Sequence, residues 1–171
     1  MASTPEIYQG LACHRLTLPQ GDSVLVALQG AHVLSWVCQG RERLYLSPKN
    51  LWDGHSAIRG GVPVCFPQFN QRGTLPKHGF ARNTLWQAGE CVATQTGLSI
   101  DFALHADEAT MALWPQSFEV QLRVAITPGQ LMLTLTVNNT EAQQVLQFTG
   151  ALHTYLAVDD IDSTDLKGLG L

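Results

Sequence analysis

The chain has 171 residues, 45% of them hydrophobic, and a formal net charge of −4 at neutral pH, which suits one globular domain with enough apolar content to bury a core. Mild acidity, with a pI near 5.8, argues against a nucleic-acid binder, which carries a broad basic face. No apolar run approaches the length of a membrane span, and residues 1–10 lack the basic and apolar regions of a secretory signal, so a cytoplasmic protein without a membrane partner is expected.

In chain order, residues 24–28 and 32–37 read as strands with Gly30 at the turn between them. Residues 53–90 then break the β pattern with a long excursion rich in glycine and proline. Excursions of that length inside a compact domain are functional or disordered, and Phe66, Phe69, Leu75, Phe80 and Trp86 argue for one that packs down. Residues 98–104 alternate apolar and polar side chains like a half-buried strand, and residues 107–114 suit a short helical turn before Pro115. Residues 118–126 and 131–137 alternate cleanly on either side of Pro128-Gly129, the signature of a hairpin. Residues 145–156 look like a further strand. Many short strands separated by turn signals predict an all-β, antiparallel sandwich or barrel, with no repeat or interdomain linker.

The chemistry concentrates in the excursion. Between Asp53 and Glu90 there is no carboxylate, yet Arg59, Arg72, Lys77, Arg82, His55 and His78 fall there. A positive island on an acidic chain suits a small anion, and the planar fork of arginine can give two hydrogen bonds to one oxyanion. Taken singly, these residues have plainer readings. Arg59 alone reads as a surface arginine at a strand end, His78 as a loop-orienting group, and His153 as a hydrogen-bonded core histidine. His14, His32, His55 and His105 read as structural or solvent-facing. Cys13, Cys38, Cys65 and Cys91 stand far apart and read as free thiols, and a Cys65 nucleophile paired with His78 lacks any supporting signature. Asp159, Asp160, Asp162 and Asp165 read as a solvated turn, since the glycine and terminal glutamate of a calcium loop are missing. No histidine pair has metal-ligand spacing, so no metal is expected.

Three motifs in order sharpen this reading: Arg59-Gly60-Gly61 leading to Pro63 and Phe66-Pro67, then His78-Gly79-Phe80-Ala81-Arg82, then Leu152-His153-Thr154-Tyr155. Together with Trp114-Pro115…Phe118 and Val137-Asn138-Asn139, they resemble the glucose-6-phosphate 1-epimerases, the hexose-6-phosphate mutarotases of the aldose 1-epimerase superfamily, from about residue 10 to the C-terminus. The resemblance implies a galactose mutarotase-like antiparallel β-supersandwich and the interconversion of the α and β anomers of a hexose 6-phosphate, without metal or cofactor. A carboxylate base takes the proton of the anomeric hydroxyl while a histidine protonates the ring oxygen. It further implies His153 as that acid and Arg59 and Arg82 as contacts to the substrate and its phosphate, with Lys77 and His78 on the same loop.

Two departures from the family pattern stand out. Position 77 is Lys where the family often carries Gln or a small residue. The chain also stops at Leu171, whereas the family's catalytic glutamate, a substrate-contacting aspartate and the strands that close the sandwich lie further on. The expectation is therefore a single incomplete domain over residues 1–171, holding the acid and anion half of a site without its base. An open sheet edge would invite pairing of two copies as a homodimer. The alternatives to an active isomerase are a non-catalytic phosphosugar- or carbohydrate-binding β-sandwich and a fragment without function.

Overall fold

The computed structural model describes residues 2–168. Its first sheet is a five-stranded antiparallel meander of β1 (Ala2–Tyr8), β2 (Leu11–Thr17), β3 (Ser23–Ala27), β4 (His32–Cys38) and β5 (Arg41–Glu42), in that spatial order. The first two strands went unread in the sequence. Their signal is Gln9-Gly10, both at positive φ (52° and 85°), the backbone that a two-residue hairpin turn requires.

After β6 (Val64–Cys65), a second antiparallel sheet is built from β7 (Gln87–Ala88), β8 (Val92–Ala93), β9 (Leu98–His105), β10 (Phe118–Thr127) and β11 (Gln130–Asn139). The expected hairpin is β10–β11, in unbroken register from Phe118↔Asn139 to Thr127↔Gln130, with Gly129 in its turn at φ 77°. Between β9 and β10, α1 (Glu108–Leu113) starts at a reciprocal cap. The Asp107 carboxylate accepts from the Thr110 amide, and the Thr110 hydroxyl accepts from the Asp107 amide, both at 2.8 Å.

The core lies where the sheets face each other. Leu16, Val24, Val26 and Val33 from the first sheet join Ile100, Phe102, Val120, Leu122 and Val124 from the second. Phe66, Phe80 and Trp86 from the excursion complete this cluster, so the excursion is packed down as its aromatic content predicts. A smaller cluster of Leu11, Cys13, Leu25, Ala27, Leu34 and Ile58 covers the other face of the first sheet. The four cysteines are free thiols. β11 is the outer strand of its sheet, and its inward residues Leu131, Leu133, Leu135 and Val137 are only partly buried.

The strand expected over residues 145–156 is not continuous. Only β12 (Ala151–Leu152) forms, paired with β6, while Val145 is 79% exposed. The reason lies in the partner. The Thr149 and His153 amides donate to the carbonyls of Pro67 (3.0 Å) and Pro63 (3.1 Å), and neither proline has an N–H to return. A ladder interrupted twice on one side cannot propagate.

Candidate functional site

The excursion returns across the end of the first sheet, and its backbone geometry sets the site. Gly60 and Gly61 have φ of 98° and 60°. A side chain at Gly61 would overlap the carbonyl of Val33. This close approach lets the segment be held from three directions. The Ser47 amide donates to the Arg59 carbonyl (3.0 Å), the Gly61 amide to Tyr45 (2.7 Å), and the Val62 amide to Val33 (2.8 Å). Asn50 closes a two-way clamp on Arg59: its side-chain oxygen accepts from the Arg59 amide at 2.8 Å, and its side-chain nitrogen donates to the Arg59 carbonyl at 3.0 Å. The backbone of Arg59 is thereby fixed while its side chain stays exposed.

The second motif turns on a pair of left-handed residues, His78 and Gly79, each at φ 70°. Gly79 lies against the backbone of Phe66, where a Cβ would overlap the carbonyl oxygen. A single turn of 3₁₀ helix over Ala81–Asn83 then presents Arg82. One guanidinium nitrogen of Arg82 donates to the Lys77 carbonyl at 2.8 Å, while its Nε is buried with no partner among the described residues. The His78 ring accepts at Nδ1 from the Asn70 amide, 3.2 Å away, which places the proton of the neutral ring on Nε2. Burial, then the charges of Arg82 and Lys77 and the neighbouring His153, hold the His78 pKa below its usual value. The ring therefore stays a neutral Nε2–H donor into the acidic side of neutrality.

The third motif follows β12. Tyr155 donates its amide to the Gly61 carbonyl (2.9 Å) and accepts from the Tyr45 amide (2.9 Å). The His153 ring lies over that of Tyr155, with centroids 4.8 Å apart and planes at 30°, and meets His78 edge-on at 5.8 Å and Phe69 at 6.2 Å. The three motifs, distant in sequence, thus meet at one place.

Together they enclose a cleft of about 640 Å³ lined by Arg59, Lys77, His78, Arg82 and Tyr155, and by residues 49–51, 56 and 57. Each of the four expected substrate-binding residues, Arg59, Lys77, His78 and Arg82, lines it; His153 adjoins through its contacts with His78 and Tyr155. Lys49 also lines the cleft and was missed, because it precedes the carboxylate-free stretch and only the fold brings it near. Arg72 lines a different cleft, of about 580 Å³, on the Phe148 side of the excursion, and its guanidinium stacks 5.6 Å from the Phe69 ring centroid.

The cleft's electrostatics are lopsided. Lys49, Arg59, Lys77 and Arg82 line it, none in an ion pair among the described residues, and no Asp or Glu is in the lining. The nearest acidic residue along the chain, Asp53, is committed elsewhere. It accepts from the Ser56 hydroxyl and amide and from the His55 amide, which depress its pKa to about 2. Four cations without counter-charge repel one another, and a bound anion relieves that repulsion. Asp159, Asp160 and Asp162 form an exposed turn held by its own hydrogen bonds.

Comparison with known proteins agrees with this fold. The family model described as "Aldose 1-epimerase" matches residues 13–170. A protein of Cenchrus ciliaris named "Putative glucose-6-phosphate 1-epimerase" is 40% identical over 152 residues, which is 84% of this chain and 46% of that protein. The crystal structure of a Salmonella typhimurium protein described as a "putative mutarotase" superposes with a TM-score of 0.81 at 33% identity, over 92% of this chain and 52% of that one. A galactose mutarotase-like protein from Clostridium acetobutylicum shares the fold at 18% identity, with a TM-score of 0.66 over 80% of this chain and 48% of that one. The chain spans about half the length of the curated relatives it matches.

Proposed function

The chain belongs to the aldose 1-epimerase family, a family of mutarotase isomerases, and we propose that its cleft binds a hexose 6-phosphate and presents the acid half of a site for anomer interconversion. The observation that carries this reading is the gathering of Lys49, Arg59, Lys77 and Arg82, without a carboxylate, beside a cluster of His78, His153 and Tyr155. The cations suit a phosphate dianion, and the buried Nε of Arg82 is a donor without a partner among the described residues. The Nε2–H of His78 suits a sugar hydroxyl.

In this reading His153 delivers a proton to the ring oxygen as the C1–O5 bond breaks, while a base takes the proton of the anomeric hydroxyl. The open-chain aldehyde rotates about C1–C2 and recloses, and each group reverses its role. In this reading His153, beside the cleft, serves as the acid and the cleft's cations as the anion contacts, while the described residues lining the cleft include no carboxylate for the base. That observation favours a second reading, in which this chain binds the phosphosugar without turning it over. Both readings suit an intracellular sugar phosphate and neither requires a metal or cofactor.

Two-dimensional exchange NMR on glucose 6-phosphate, with and without the protein, separates them. Faster exchange between anomers than in buffer, lost in His153→Ala, supports the isomerase. No acceleration, with shifts or line broadening that Arg82→Lys removes, supports the binding reading. An unperturbed sugar spectrum would sink both.

A further inference from the structure

His32 stands outside all three motifs, at the start of β4, and is fully buried. Its Nε2 lies 2.8 Å from the carbonyl of Gly60. A carbonyl only accepts, so Nε2 carries the proton and Nδ1 is a bare lone pair; that atom is buried with no partner among the described residues. Burial, with the charge of Arg82 nearby, keeps the ring neutral, its pKa lowered to about 4.

The fit is reciprocal. A Cβ on Gly61 would come 3.0 Å from His32 Nε2, so the ring reaches Gly60 because Gly61 has no side chain. The residues on either side of this bond carry the site. Arg59 immediately precedes Gly60, and Gly61 exchanges backbone bonds with Tyr45 and Tyr155, the latter two residues beyond His153. The Ser47 and Tyr155 amides donate to the carbonyls of Arg59 and Gly61, and Val62 donates its own amide to the Val33 carbonyl, whereas the buried Gly60 carbonyl is held by the His32 side chain.

We propose that His32 is a positioning residue, whose Nε2–H to Gly60 hydrogen bond sets the Gly60-Gly61 turn and through it the relative placement of Arg59 and His153. Without that donor, the Gly60 carbonyl is buried and unsatisfied, and the turn relaxes to find another partner. The link from the turn to substrate rests on the phosphosugar reading of the cleft; the hydrogen bond and its effect on the turn do not.

The test compares His32→Phe, which keeps a ring but has no donor, with His32→Gln, whose amide nitrogen reaches the same carbonyl. Two readouts are independent of any ligand. In the wild type, ¹⁵N–¹H correlation of the imidazoles is expected to show His32 as the neutral Nε2–H tautomer. Hydrogen exchange at the Gly61 and Tyr155 amides is expected to speed up roughly tenfold in His32→Phe, the scale of one lost buried hydrogen bond, and to return to near wild-type rates in His32→Gln. The third readout is glucose 6-phosphate affinity by amide-shift titration, expected to fall in His32→Phe and recover in His32→Gln. An Nδ1–H tautomer, or unchanged exchange in a folded His32→Phe, overturns the proposal. If His32→Phe does not fold, the tautomer and the His32→Gln exchange rates decide it. A wild-type protein that ignores glucose 6-phosphate but shows the exchange pattern ends the phosphosugar reading and leaves the positioning of the turn intact.

Discussion

The amide of Tyr155 donates to the carbonyl of Gly61 across 2.9 Å, and this bond fastens the segment carrying His153 to the segment carrying Arg59. Neither residue sits in a long strand. The join is made by irregular backbone beside the first sheet, where Gly60 bridges Leu46 and Leu156 bridges Leu44, and the Arg59 side chain stays exposed on the cleft.

Replacing Arg82 by Lys keeps the charge but removes the fork and the buried Nε donor. Binding of glucose 6-phosphate is expected to weaken roughly tenfold, the scale of one charge-assisted hydrogen bond. Lys49→Ala, at an exposed position on the same cleft, is expected to cost about twofold or less. Calorimetric titration with glucose 6-phosphate checks both, and equal affinity of wild type and Arg82→Lys would remove Arg82 from the site.

Glycine content matters most where a left-handed backbone meets a neighbour. Gly79→Ala places a methyl group into the Phe66 carbonyl at φ 70°, whereas Gly40→Ala adopts a similar φ of 73° in open space. The first is expected to destabilise by at least ~2 kcal/mol and the second by about 1 kcal/mol. Thermal unfolding of the two variants side by side reads the difference; equal midpoints would contradict the packing described for Gly79.

His32 gives the folded protein a distinct acid sensitivity. Its folded pKa of about 4 lies below the ordinary value of 6.5, so the unfolded chain binds the proton first as pH falls. The sign is therefore destabilising: stability is unaffected by this group above pH 6.5 and declines from there to about pH 4, by at most ~3 kcal/mol. Urea unfolding across that range should show a shallower decline in His32→Gln. Identical pH profiles would mean that the ring is not held neutral.

β11 has ten residues without a charge, proline or glycine, and among the described residues it pairs on its inner side only, in unbroken register. Natural edges are usually guarded by such residues, so concentration-dependent self-association is expected, and Met132→Lys with Thr136→Lys is expected to suppress it. Sedimentation velocity over a range of concentrations tests this; a monomer at all concentrations would show that the edge is not adhesive.

The parts of the fold legible in the sequence are those governed by local rules. β9, β10 and β11 declare themselves by alternation, because one face of each strand meets the core and the other does not. β1 carries no such contrast, with Ile7 72% exposed, so only its turn residues announce it. Residues 145–156 mislead in the opposite direction. Their apolar content suits a strand, but whether a strand forms depends on a partner with donors, and Pro63 and Pro67 have none.

The candidate site divides along the same line. The sequence by itself pointed to the family and singled out Arg59, Lys77, His78, Arg82 and His153 as candidates, because glycines and prolines at fixed offsets specify backbone shapes that few folds need. It also determined the positive island, since charge can be counted without coordinates. Only the tertiary structure decided that Lys49 joins these cations while Arg72 turns to another cleft, and that His32 lies beneath Gly60. These are contacts across the fold, set by how two sheets and a packed excursion close around one another, and no spacing along the chain encodes them.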